Sequence, residues 1–193
     1  MLRSLYDWTM RLSATPRAAY ALGAVSFAES SFFPIPPDAL LIPMVIAERR
    51  RAWSLAFICT ATSVLGAVLG YVIGALLFDE IAEPLLAFYG YGSKFADFAQ
   101  TYNEWGAWIV LMAGLTPFPF KVVTVASGAT GLDPFVFILS SIVARGIRFY
   151  AVAALLYRFG PPVRSFVEKR LAMVFTLGII ALLGGFAALR LVI

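Results

Sequence analysis

The sequence predicts an all-α integral membrane fold, a helical bundle holding two inverted re-entrant hairpins, and three observations lead there. Composition is the first: 61% of the 193 residues are hydrophobic and 13% are charged, with a mean hydropathy of +0.87. Soluble domains run at roughly 45–50% apolar and about 25% charged. The second is that the apolar residues come in long unbroken runs, not in short alternating segments. Backbone groups inside hydrocarbon must be bonded internally, and runs of this kind favour helices over a closed barrel. The third is a repeated interruption. "PIPPD" (34–38) and "PFPFK" (117–121) are both Pro-x-Pro-x-charge, 83 residues apart, and each precedes a short apolar helix.

Taken in order, residues 1–17 are a polar-aromatic interfacial arm carrying Arg3, Arg11 and Arg17. The stretch 18–33 is apolar apart from Glu29 and stops at Pro34; the chain resumes after Pro36 and reaches "ERRR" at 48–51. Crossing a core of about 30 Å takes about 20 residues, so each half is too short and the pair reads as a re-entrant hairpin or broken helix. Residues 53–78 are a full span in which Gly66, Gly70 and Gly74 recur every fourth residue, a pattern that lets helix backbones approach closely.

Residues 79–105 read as a polar connection. In "KFADFAQTYNEW", Phe95, Phe98, Tyr102 and Trp105 recur at helical spacing, which predicts an aromatic-belt helix lying in the membrane interface. Asp79, Glu80, Glu83, Asp97 and Glu104 outnumber Lys94 there and make a solvated acidic surface. A second interrupted unit follows: "AWIVLMAGLT", a break at Pro117 and Pro119, then "VVTVASGATGL". Asp133 and Pro134 supply an N-cap and a first-turn proline for a span over 134–157. A basic loop, 158–170, leads to a last span, 171–193. The expected division is thus an arm (1–17), a main domain (18–160) and a basic loop with a C-terminal span (161–193).

Three spans and two re-entrant elements put Arg3, Arg11, Arg17, Arg49–Arg51, Arg158, Arg164, Lys169 and Arg170 on one side of the membrane. The excess of basic residues on cytoplasmic loops then makes that side, and the N-terminus, cytoplasmic. Under this layout the two hairpins enter from opposite sides, the arrangement of transporters whose broken helices meet near the midplane.

Absences bound the chemistry. The chain has no histidine and one cysteine, Cys59. Disulfide frameworks, Cys/His metal sites and histidine acid–base catalysis are therefore excluded within one chain, and neither a metal, a cofactor nor an enzymatic reaction is expected. Cys59, in "LAFICTATS", reads as a small core hydrophobe.

The remaining charges carry the functional reading. Asp38 and Lys121 hold equivalent positions in the two motifs with opposite sign. In the first turn of a helix the dipole favours Asp38 and opposes Lys121. A lysine there is explained by an anion bound at the helix start, or by an ion pair with Asp38 or Glu29. Arg145 and Arg148, three residues apart in "SIVARGIRFY", share one face near the middle of a span. An arginine at the bilayer centre costs at least about 2.5–3.5 kcal/mol, so both are expected to face the interior and meet carboxylates or a ligand. Glu29 and Asp38 against Lys121, Arg145 and Arg148 leave a surplus of one positive charge. An anion suits that surplus, and the guanidinium fork fits a phosphate. A phosphate-bearing lipid headgroup is the expected partner, with Glu29 or Asp38 able to take up a proton.

"ESSFFPIPPD" (29–38) resembles the Glu-x4-Pro-x-Pro-x-acid signature of the DedA family, also called the VTT or SNARE-associated Golgi protein domain. "GLTPFPFKVVTVASGATG" and "ARGIRFY" with "YRFG" look like its second re-entrant loop and following helix in the YqaA-like branch, so the likeness covers roughly 18–160. The resemblance implies two opposed re-entrant hairpins in a bacterial inner-membrane protein. It implies movement of undecaprenyl phosphate or a phospholipid between leaflets, of flippase or scramblase type and linked to proton-motive force. Glu29 and Asp38 match the family's acidic positions. Many members carry arginines flanking the second proline, where this chain has Gly114 and Phe120; Lys121, Arg145 and Arg148 are candidates to take over that role. The competing expectations are a proton- or ion-coupled carrier of a small solute and a non-catalytic membrane assembly factor. No nucleic-acid partner is expected, and self-association is left open.

Overall fold

A computed structural model describes residues 18–32, 36–116 and 118–160. The arm 1–17, Pro34, Pro117, the loop from 161 and the C-terminal span 171–193 lie outside the described residues. Every described element is helical. They are α1 (Ala18–Ser31), α2 (Asp38–Ala47), a 3-10 turn (Arg49–Arg51), α3 (Ala52–Leu77), a π-helical turn (Phe78–Ala82), α4 (Glu83–Phe88), α5 (Gly92–Leu115), α6 (Phe120–Ala129) and α7 (Pro134–Gly160). Two helical stretches, Arg49–Leu77 and Pro134–Gly160, are long and apolar enough to cross a membrane.

The order α1–break–α2–α3 is repeated as α5–break–α6–α7, and both short helices have 10 residues. Pro37 and Pro119 stand at the N-cap positions of α2 and α6. A proline there lacks only an N–H that the helix start could not use. At the head of α7, Asp133 Oδ1 accepts the Val136 N–H at 2.9 Å, the cap expected for a helix opening on proline.

Two apolar cores stack along the bundle. One gathers Ala18 and Leu22 of α1, Leu41, Met44 and Val45 of α2, the start of α3 through Leu55 and Cys59, and the end of α7 through Phe149, Ala153 and Leu156. The other gathers Ala67 of α3, Val110 and Ala113 of α5, Phe120 and Val123 of α6, Leu132, and Phe137 near the start of α7. Trp53 lies 5.8 Å from Tyr157 and Tyr71 lies 5.1 Å from Phe137, ring centroid to ring centroid. The long helices therefore run antiparallel. Because α2 leads into the start of α3 and α6 into the start of α7, the short helices sit at opposite ends with their N-termini pointing toward the middle.

The glycine stripe on α3 makes this packing feasible. A Cβ on Gly66 would collide with the Phe27 carbonyl of α1, one on Gly74 with the Val125 carbonyl of α6, and one on Gly70 with the Thr124 side chain. The face holds α1 along its first half and α6 along its second, so the stripe is backbone contact, as its period predicts.

The segment 79–105 differs from expectation. No separate interfacial helix ends at Trp105; α5 runs unbroken for 24 residues, Gly92–Leu115. Gly106 lies against the Leu132 side chain, where a Cβ would collide. It serves close approach and does not end the helix.

Candidate functional site: a layer of ion pairs between the two cores

Between the two apolar cores lies a polar layer built from six elements, α1, α2, α3, α5, α6 and α7. Arg145, on α7, is 1% exposed. Its Nη2 donates to Glu29 Oε2 of α1 at 2.6 Å, and its Nε donates to Ser63 Oγ of α3 at 2.5 Å. The Ser63 hydroxyl shares a 2.6 Å hydrogen bond with the Ser30 hydroxyl, which also contacts Glu29 Oε2 at 3.2 Å. The guanidinium sits 4.9 Å from the Phe120 ring and 4.7 Å from the Phe149 ring. Those aromatic faces supply cation–π attraction where no water can.

One turn further along α7, Arg148 Nη2 donates to Asp38 Oδ2 at 2.6 Å, and Nη1 donates to the Thr116 carbonyl at 2.9 Å. This single side chain bridges both helix breaks: Asp38 opens α2, and Thr116 closes α5. The breaks meet elsewhere too. Thr124 Oγ1, in α6, lies 3.1 Å from the Ser30 carbonyl near the end of α1.

The sequence therefore places Glu29, Asp38, Arg145 and Arg148 in one cluster, and the structure settles the pairing: Glu29 with Arg145, Asp38 with Arg148. Lys121 pairs with neither acid. It is half-buried in the first turn of α6 and makes no ion pair with any described residue. Of the predicted breaks, Pro36 and Pro119 flank the cluster, and Pro34 and Pro117 lie outside the described residues. The Asp38 Oδ1 atom is buried without a hydrogen-bond partner among the described residues.

Sequence reasoning missed Ser30, Ser63, Phe120 and Phe149. The two serines had a usable signal, since hydroxyls inside apolar helices need partners. Phe120 had a weaker one. It occupies a position where relatives of the resembled family carry arginine, and its ring lies against Arg145. Gly114 has no room for any such side chain, because its Cβ would stand 2.6 Å from the Ala144 Cβ.

Electrostatically the two acid–base pairs cancel. What remains is Lys121 and the N-termini of α2 and α6, each carrying a partial positive charge directed at the same layer. The start of an α-helix favours a nearby negative charge.

Fold and site together define a class: an all-helical protein with two long apolar helices, whose internal ionisable groups are gathered at a pair of helix breaks. The chain belongs to the VTT-domain (DedA) family, a membrane-associated family whose domain matches residues 35–158. It is 38% identical over 152 residues to an uncharacterized protein of Haemophilus influenzae, covering 79% of each chain. An uncharacterized protein of Histophilus somni is 36% identical over 152 residues, again 79% of each. No solved structure matches the chain.

Proposed function

We propose that the chain is a multi-pass protein of the bacterial inner membrane that carries a phosphate-bearing lipid headgroup between leaflets, without bond-making chemistry. In this reading α3 and α7 cross the bilayer, and α1–α2 and α5–α6 are re-entrant hairpins entering from opposite sides. Arg49, Arg50, Arg51 and Arg158 gather at one end of the bundle, and Glu80, Glu83, Asp97 and Glu104 at the other. The positive end and the N-terminus then face the cytoplasm.

The observation that carries the reading is Lys121. Both arginines of the layer are spoken for by carboxylates, whereas this cation stands at a helix start, which disfavours it, and forms no ion pair with an acid among the described residues. A phosphate bound between Lys121 and the N-termini of α2 and α6 removes the conflict. The headgroup would cross through the polar layer while its tails stay in lipid, and the paired arginines hold the hairpin tips in place.

The test is leaflet exchange in liposomes containing labelled phosphatidylethanolamine or labelled polyprenyl phosphate. Wild type is expected to exchange at least one of them; Lys121→Ala, Glu29→Gln and Arg145→Ala are expected to lose exchange. Equal exchange in all four proteins overturns the site, and no exchange of either lipid by wild type overturns the transport reading.

One observation favours a second reading. Asp38 Oδ1 is buried without a hydrogen-bond partner among the described residues, and a proton- or ion-coupled carrier of a small solute would use the same layer. Uptake of labelled phosphate into vesicles that show no lipid exchange selects it.

A further inference from the structure

At the acidic end, far from the ion-pair layer, the helices enclose a cavity of about 640 Å³, lined by the ends of α3 and α6, the π-helical turn, α4 and α5. That volume lies within the range of small-molecule sites. We propose that this cavity binds an alkylammonium group, held by Glu83 and the rings of Phe78 and Phe95.

Three features of the walls each attract a cation and repel an anion. Glu83 brings a carboxylate, and among the described residues no lysine or arginine lines the cavity. Ala129, Thr130 and Gly131 bring the C-terminal end of α6, where the helix dipole is negative. Phe78 and Phe95 are stacked on each other at 4.5 Å between centroids and leave only their outward ring surface to the cavity, where with the Tyr71 ring they offer an ammonium cation–π attraction. The nearest lysine in sequence, Lys94, is turned away over the Tyr91 ring at 5.0 Å from its centroid.

The backbone explains why these groups converge. The Glu83 N–H donates to the Phe78 carbonyl, closing an i to i−5 turn. In an ordinary α-helix residues five apart point in different directions. The wider π turn swings Phe78 and Glu83 to one side, toward the cavity, and single π turns of this kind recur at functional sites. Gly92 and Gly131 line the opening, so no side chain narrows it there.

The site is separate from the proposed phosphate position. Lys121 starts α6 and the cavity caps its other end, 10 residues on, which at about 1.5 Å per residue is roughly 15 Å. An ammonium reaches this cavity either as the headgroup of an amino-alcohol lipid or as a soluble amine. The recognition chemistry is the same, and the experiment distinguishes the sources.

Calorimetric titration with tetramethylammonium chloride, on the full chain in nanodiscs of phosphatidylglycerol alone, reads the site directly, with sodium chloride as the blank. Saturable binding is expected. Glu83→Gln and Phe95→Ala should each raise Kd by about tenfold, given the strength of one ion–ion or cation–π contact in a half-sheltered site. Glu104→Gln, on the same acidic end but outside the cavity, should leave Kd unchanged. Helicity and unfolding temperature of each variant show that it is folded. Loss of the signal when phosphatidylethanolamine is added to the disc assigns the occupant to lipid; persistence assigns it to a soluble amine. Absence of saturable binding in wild type, or an unchanged Kd in Glu83→Gln, overturns the proposal.

Discussion

The two short helices α2 and α6 share a length, a proline approach and an inward-pointing N-terminus, yet they are held by different means. Large apolar side chains, Leu41, Met44, Val45 and Ile46, fix α2 in its core, and its first residue is clamped by Arg148. The partner helix α6 puts Phe120 and Val123 into the other core and lays Thr124, Ser127 and Gly128, with its backbone, directly on α3. Its own charge, Lys121, pairs with no acid among the described residues. One arm of the repeat spends its charge on architecture; the other is secured by steric fit and keeps its charge for something else. The two arms share an order of elements, and the difference between them lies in a handful of side chains.

Substitutions can break or sharpen this contrast. The largest effect is expected for Arg145→Ala, which leaves Glu29 buried without a partner. Removing one member of a buried pair costs about 3–5 kcal/mol, so the detergent-solubilised protein should unfold at a much lower temperature. Arg145→Ala combined with Glu29→Ala should recover part of the loss. Next comes Gly74→Ala, which presses a methyl into the Val125 carbonyl. Overpacking of this kind costs about 1–3 kcal/mol, while Gly92→Ala, with nothing near its Cβ, should be silent in the same melt. A double-mutant cycle of Asp38→Asn and Arg148→Gln should give a coupling of about 1 kcal/mol, at the low end for contacting residues because both side chains are 21% exposed. Lys121→Met closes the series. Its unfolding temperature should match wild type, a change within about 0.5 kcal/mol, while leaflet exchange is lost. A stability loss for Lys121→Met as large as that for Arg145→Ala would show that both arms spend their charge on architecture.

Much of this was legible in the sequence for physical reasons. Helix breaks announce themselves through proline, long helices through uninterrupted apolar runs, and the glycine face of α3 through its period of four. The inward orientation of Arg145 and Arg148 followed from the cost of a charge in hydrocarbon. The pairing did not follow. Glu29 and Arg145 are 116 residues apart, and Asp38 and Arg148 are 110 apart. Only the crossing of α1, α2 and α7 decides which acid meets which base. From sequence the aromatic segment ends too early, because the apolar run after Trp105 reads as a separate unit, whereas one helix carries both through Leu115. The cavity at the acidic end was invisible because it depends on one π-helical turn, a feature with no composition of its own.

The crossing of the two repeats has a consequence for how the chain is assembled. The wall against which α2 rests includes Phe149, Ala153 and Leu156 of α7, and the surface beneath α6 belongs to α3, so each half clasps a helix of the other. Neither half can complete its interior alone. Fragments severed at Gly90, whose exposed turn has open space around it, should be degraded when made singly and should reconstitute when made together.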